Sequence, residues 1–239
     1  PRDRPRLVTS WFHGVDTPGH ADGPDSESVR RALRQQDRSL ARLLKGLRER
    51  DALASTTLIL VSDHGMAAVD RHVDLRATLR NAQIEALVLG AGGFAILSLG
   101  PGASDLAPAL AVARRLGLEA HSREGAPSWL RLGNPRFGSG VVLAPPGTAI
   151  QSSGRSSPAM RGSHGYRPEV SEMGGLFLAL GRGAQPGTKL GEVRAVDVAP
   201  TVLALLGLSV PEWMEGAPIA EMIPSGVRAG GAAIEGGMR

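Results

Sequence analysis

Three short segments bring together the residue types that hold metals or move protons. Asp16 and His20 lie in HGVDTPGHADGP (13–24), Asp63 and His64 in TLILVSDHGM (57–66), and His164 in RGSHGY (161–166). In each, glycine flanks the candidate and lets the backbone turn so that a side chain can be aimed inward. The second segment is the most informative. An apolar, β-branched run, residues 57–61, stops at an acid and an imidazole, two groups that are costly to bury unpaired. Such a run reads as a strand covered on both faces. In open α/β sheets the ligand sits beyond the carboxyl ends of the strands, so a carboxylate with an imidazole there suggests a metal or catalytic site. The chain has no cysteine, which removes disulfides and thiolate sites. A metal would be held by Asp, Glu and His, which implies zinc, manganese, magnesium or calcium. Taken singly, each Asp–His pair is more often a capped turn or a histidine satisfied by its neighbour.

The surrounding elements must bring these segments together. Residues 6–12 read as a strand that leads into the Gly/Pro-punctuated loop 13–24, a stretch expected to hold neither helix nor strand. Asp25 or Ser26 can cap a helix whose apolar positions Val29, Leu33, Leu40, Leu43, Leu44 and Leu47 follow helical spacing, fading near Arg50. The strand 57–61 follows, and strand–helix–strand alternation is the sign of a parallel sheet. From 67 to 160 short apolar runs (ALVLG, GFAILSL, GVVLAPPG) alternate with turns and one helix, roughly 106–116. This stretch reads as an inserted α+β subdomain. The Ser/Gly-rich QSSGRSSPAMRGSHGY reads as a mobile return loop, GGLFLALG (174–181) as a buried strand, and VDVAPTVLALLGL (196–208) as a helix closed by Gly207. Residues 224–239 are Gly- and Ala-rich and read as a flexible tail.

Bulk properties narrow the function classes. The 239 residues, 42% of them hydrophobic, suffice for one large α/β domain or a domain with an insertion. No stretch reaches the ~18 apolar residues of a membrane span. The net charge is +4, from 27 basic residues of which only Lys45 and Lys189 are lysines, against 23 acids. Those arginines are scattered and aromatics make up 3%, whereas nucleic-acid binding calls for clustered basic residues with interleaved aromatics. A nucleic-acid polymer is therefore not the expected partner. The first residue is proline and the first methionine is Met66, so the chain reads as a piece of a longer product or a processed form.

The order D…GH..GP, then LILVSDHGM, then GSHGY followed by GLFLALGRG and VDVAPTVLALLGL, resembles the nucleotide pyrophosphatase/phosphodiesterase family of the alkaline phosphatase superfamily. The resemblance covers most of the chain. It implies an alkaline-phosphatase-like α/β fold: a central, mostly parallel sheet flanked by helices, with residues 1–66 and 161–223 as an incomplete core around the insertion at 67–160. It also implies a two-zinc site that hydrolyses phosphodiester or pyrophosphate bonds of a small phosphate ester such as a nucleotide. By that resemblance Asp16, His20 and His164 match the three protein ligands of one zinc, and Asp63 and His64 match two ligands of the other. The family's strand-end aspartate and its Thr or Ser nucleophile precede the D…GH loop, and are expected upstream of residue 1. One zinc is expected in this chain and two in the complete enzyme, and a secreted or periplasmic location is compatible with the resemblance.

The residue types fit this chemistry on their own terms. In-line attack at phosphorus needs charge stabilised on the entering and leaving oxygens, which two cations about 4 Å apart do symmetrically. Imidazole ligands from His20, His64 and His164 favour zinc over calcium or magnesium. Thr9, Ser10, Thr17 and Ser62 match no nucleophile motif and are read as structural, as are His13, His72, His121 and the turn residue Arg182. Ser139 stands where the family carries an acid. The rival readings are another superfamily hydrolase (phosphonate hydrolase, phosphomonoesterase or sulfatase) and a non-catalytic metal-binding remnant. The single-calcium site of a sulfatase would use oxygens in place of His20 and His164, which counts against it.

Overall fold

The structure is a computed structural model and describes residues 5–90, 92–100, 104–134, 136–151, 160–184 and 187–223. In chain order its elements are α1 (Asp16–Asp22), α2 (Glu27–Arg48), β1 (Thr57–Val61), β2 (Ala67–Val73), α3 (Leu75–Asn81), β3 (Ala86–Leu89), β4 (Phe94–Leu99), α4 (Ala107–Arg115), β5 (Glu119–Ser122), β6 (Gly140–Leu143), β7 (Gly147–Ile150), β8 (Gly162–Ser163), β9 (Phe177–Gly181) and α5 (Val198–Leu205). They fall into two compact units, residues 1–11, 38–63 and 176–239, and residues 12–37 and 64–175. The division runs through α2. The segment 67–160 lies inside the second unit, while residues 152–159 of the expected return loop and the expected tail 224–239 lie outside the described residues. Among the described residues no helix is long and apolar enough to cross a membrane.

In the first unit β1 pairs with β9 antiparallel, from Thr57 opposite Gly181 to Val61 opposite Phe177. Residues 57–60 are half-buried and Val61 is 46% exposed, so β1 is not covered on both faces as its apolar run suggested. The expected strand at 6–12 is irregular chain, with Val8 and Trp11 75% and 83% exposed. Apolar residues make a strand only where a neighbouring strand takes up the backbone hydrogen bonds; here the Phe12 carbonyl is taken up by the Gln36 side chain at 3.3 Å. A 3-10 turn, Ala195–Asp197, leads into α5, and Gly207 closes the helix with φ +71° as anticipated.

Asp197 ties this corner together. Its carboxylate takes a two-pronged bond from the Arg194 guanidinium at 2.7 and 3.0 Å and the Ala217 N–H at 2.9 Å. The Thr201 hydroxyl donates to the Asp197 carbonyl at 2.6 Å and accepts from the Ile219 N–H at 2.9 Å. The Arg194 hydrogen bonds hold the Asp197 carboxyl below its ordinary value of 3.8. A depressed carboxyl pKa contributes stability that is present above the unfolded value and lost as pH falls through the folded one. The stability difference between the native chain and Asp197→Asn is therefore expected to be full at neutral pH and to close below about pH 3.8. Urea titrations across that range check this; a gap that stays constant to the acid limit would contradict it.

The second unit holds two sheets. One has the order β7-β2-β8, with β2 parallel to β7 and antiparallel to β8. The other, β3-β4-β6-β5, is antiparallel throughout. The α/β composition is as expected, but the strand directions differ from the mostly parallel sheet, since β2–β7 is the single parallel pairing among the described residues. An apolar run reports that a strand is covered and carries no information on the direction of its neighbour. The core is built from Leu75 and Leu79 of α3, Val88, Ala95, Leu97, Val142 and Ile150 of the strands, and Ala109 and Ala113 of α4. Local signals account for the helix starts. Asp74 accepts the Ala77 N–H at 2.8 Å at the head of α3, and Ser26 accepts the Val29 N–H at 3.3 Å at the head of α2.

The segment 13–24 corrects the expectation of a loop: residues 16–22, DTPGHAD, form α1. Pro18 sits in the first turn, where its missing N–H has no helical acceptor to lose. Gly19 survives inside the helix because of what lies against it. A Cβ there would be 2.5 Å from the Met66 sulfur.

Candidate metal centre

Helix α1 sets the first half of the centre. Asp16 and His20 are four positions apart, so they share one helix face. The His20 Nε2 lies 3.4 Å from the Asp16 Oδ1. Strand β8 supplies the second half: His164 follows it directly, and its Nε2 lies 3.7 Å from the same carboxylate oxygen. One ligand atom from each of Asp16, His20 and His164 falls within 4.8 Å of the other two. Tetrahedral ligands at the ~2.0–2.1 Å of zinc bonds lie about 3.3 Å apart, so small side-chain adjustments bring the three onto one ion. The side chains are 46%, 27% and 34% exposed for Asp16, His20 and His164, which leaves a face open to a further ligand.

The ring orientations suit coordination. The His20 Nδ1 is 2.8 Å from the carbonyl oxygen of Gly162. A carbonyl only accepts, so Nδ1 carries the proton and Nε2 of the neutral ring keeps its lone pair, aimed towards Asp16. The His64 Nδ1 is likewise 2.8 Å from the Gly65 carbonyl, leaving Nε2 as its donor atom. Backbone acceptors of this kind hold ligating imidazoles in one tautomer and orientation. The His64 and His164 rings stack with centroids 3.6 Å apart and planes 17° from parallel, and the His20 ring is 5.0 Å from His164 at 46°. Asp63 is the last residue of the first unit's central segment, adjacent in sequence to His64.

Glycines let the backbones approach. Gly65 has no positive φ; it is small because a Cβ would stand 2.1 Å from the Glu172 carbonyl oxygen, and its N–H donates to Met173 O at 3.0 Å. Gly165, after His164, does need a left-handed turn, with φ +81°. The Gly93 N–H holds the His164 carbonyl at 2.9 Å, which anchors the backbone of that residue.

The other candidates are engaged elsewhere. His72 pairs through Nε2 with Met160 O and His121 with Glu119, both at 2.8 Å. The Ser62 hydroxyl accepts the Leu176 N–H at 2.7 Å, and Ser139 accepts that of Leu99 at 3.2 Å. Sequence reasoning missed the carbonyls of Gly162 and Gly65 and the thioether of Met66. Residue type does not advertise a carbonyl acceptor, though Met66 belongs to the SDHGM segment itself.

Comparison with known proteins shows the family of the chain. The profile of the type I phosphodiesterase / nucleotide pyrophosphatase family matches residues 1–167. The ectonucleotide pyrophosphatase/phosphodiesterase family member 7 of Rattus norvegicus is 28% identical over 234 residues, 92% of this chain and 52% of that protein. A venom phosphodiesterase of Macrovipera lebetinus is 40% identical over 67 residues, 28% of this chain and 8% of that protein. The solved human ectonucleotide pyrophosphatase/phosphodiesterase 5 superposes with a TM-score of 0.75 at 23% identity, over 84% of this chain and 54% of that one. An inactive murine form of the same protein, solved in complex with AMP, gives 0.71 at 26% identity, over 82% and 53%. The chain thus spans about half the length of the curated full-length relatives it matches, and its fold is alkaline-phosphatase-like. On this evidence the chain belongs to the type I phosphodiesterase / nucleotide pyrophosphatase family, within the alkaline phosphatase superfamily.

Proposed function

We propose that this chain carries a zinc-binding half of a phosphodiesterase centre, acting on phosphodiester or pyrophosphate bonds of a nucleotide-like ester. Family membership supports hydrolysis of phosphodiester bonds, and the AMP held by the murine relative favours a nucleotide ligand. The observation that carries the metal reading is the convergence of Asp16, His20 and His164 within 4.8 Å. A carboxylate and two imidazoles, one already turned by its Nδ1–H bond to Gly162, suit zinc better than calcium or magnesium. When bound, zinc supplies Lewis acidity towards a phosphoryl oxygen. The chain's own residues do the rest. Asp16 contributes negative charge, His20 and His164 present lone pairs, and the stacked His64 limits rotation of the His164 ring. Asp63 and His64 are proposed as ligands of a second zinc. Neither Ser62, bonded to Leu176, nor Ser163, 1% exposed, suits the role of nucleophile.

These 239 residues are expected to take up about one zinc tightly and to turn over a nitrophenyl phosphodiester far below the ~1–1000 per second of ordinary enzymes. Elemental analysis after dialysis, with a chromogenic assay, checks both. A chain that takes up no zinc overturns the metal reading; ordinary turnover overturns the assignment of the nucleophile.

A further inference from the structure

We propose that Met66 is a positioning residue for the metal centre, its thioether acting as the spacer that sets α1 against β8; the inference rests on the metal reading above. Met66 immediately precedes β2, whose Ala67 and Ala68 pair with Ser163 and Gly162 of β8. Its side chain meets two glycines at once. A Cβ on Gly19 would lie 2.5 Å from the Met66 Sδ and 3.0 Å from its terminal methyl, and a Cβ on Gly162 would lie 3.0 Å from the same sulfur. Those glycines adjoin the ligands: Gly19 precedes His20, and Gly162 stands two before His164 and accepts the His20 Nδ1–H at 2.8 Å.

The two backbones touch beside the sulfur. A Cβ on Gly162 would stand 2.3 Å from the Gly19 carbonyl oxygen, and the Arg161 N–H donates to the His20 carbonyl at 2.8 Å. The Met66 thioether thus packs against both glycine faces beside this backbone contact, and its volume bears on how closely α1 and β8 can meet there. An unbranched thioether suits such a gap, because it bends to fit and carries no β-branch. Ligand bonds tolerate only ~0.2 Å of error, so a spacer that is too thin or too thick should act on metal affinity without touching the ion. Neither composition nor spacing makes this role visible.

The test is zinc affinity by chelator competition, with cobalt(II) absorption as a probe of coordination geometry, on chains verified as folded by circular dichroism. Met66→Ala and Gly19→Ala are each expected to weaken zinc by about 10–100-fold, the range for residues supporting metal ligands. Met66→Leu, nearly volume-conserving, is expected to stay within a few-fold of the native chain. The Gly19→Ala/Met66→Ala double variant is expected to bind more tightly than Gly19→Ala alone, because the new methyl then occupies the vacated space. Met66→Ala binding zinc as the native chain does, or Met66→Leu losing as much as Met66→Ala, overturns the spacer role and leaves the metal centre standing. A native chain with no zinc affinity overturns the metal reading itself.

Discussion

Substitution of His164 by alanine is expected to abolish tight zinc uptake, weakening it by more than about 100-fold, beyond the ~10–100-fold cost of losing a supporting partner. The reason is its position. Asp16 and His20 come from one turn of α1, but two ligands alone make a poor site, since zinc centres have three or four protein donors. The His164 Nε2, 3.7 Å from the shared Asp16 oxygen, completes the set. His72→Ala is the control: that ring is spent on the Met160 carbonyl, and zinc affinity should not change. His64→Ala is expected to weaken the first zinc less than His164→Ala does, because His64 stacks on the His164 ring but stands outside the three-residue cluster. Competition with a chromogenic chelator distinguishes these outcomes. Equal losses in the His72 and His164 variants would show that unfolding, and not ligand removal, controls uptake.

Gly65→Val is expected to destabilise the second unit by about 3 kcal/mol or more, at the upper end for overpacking, and to lower zinc uptake with it. The added carbon would stand 2.1 Å from the Glu172 carbonyl oxygen and 2.7 Å from that of Gly174. Both obstacles are backbone, so no rotamer change relieves the clash. Moving the 172–174 segment away also endangers the Gly65 N–H bond to Met173 O and the Gly65 carbonyl that orients His64. Urea unfolding with parallel zinc measurement checks both effects. A variant with native stability and native stoichiometry would mean that the chain around Gly65 is not packed as described.

The sequence was readable where one local rule acted alone. Ser26 announced α2 by its capping hydroxyl, and the apolar periodicity of 29–47 carried the helix to its end near Arg48. The runs at 57–61, 140–143 and 177–181 became strands, though only 140–143 is buried throughout. Failures came where two rules competed. Pro18 and Gly19 read as breakers, yet proline is tolerated in a first turn and the glycine is demanded by Met66, a residue 47 positions away. Had α1 been anticipated, the four-residue spacing of Asp16 and His20 would have declared a shared face. Strand direction was not legible in β1, since covering a run and orienting its neighbour are separate matters. The ligand segments were visible by type, but the carbonyls that fix their tautomers carry no residue signature.

The His20 ring reaches a carbonyl 142 residues further along the chain. A cation shared between α1 and the end of β8 would therefore fasten two distant stretches of polypeptide, much as a crosslink does. Closing so long a loop removes a large share of the freedom open to the unfolded chain, and that loss grows only slowly with further length. Occupancy by an ion that favours the folded form then enters the folding equilibrium directly, by mass action. In such a molecule, the free metal concentration of its surroundings would help decide how much of the chain is folded at all.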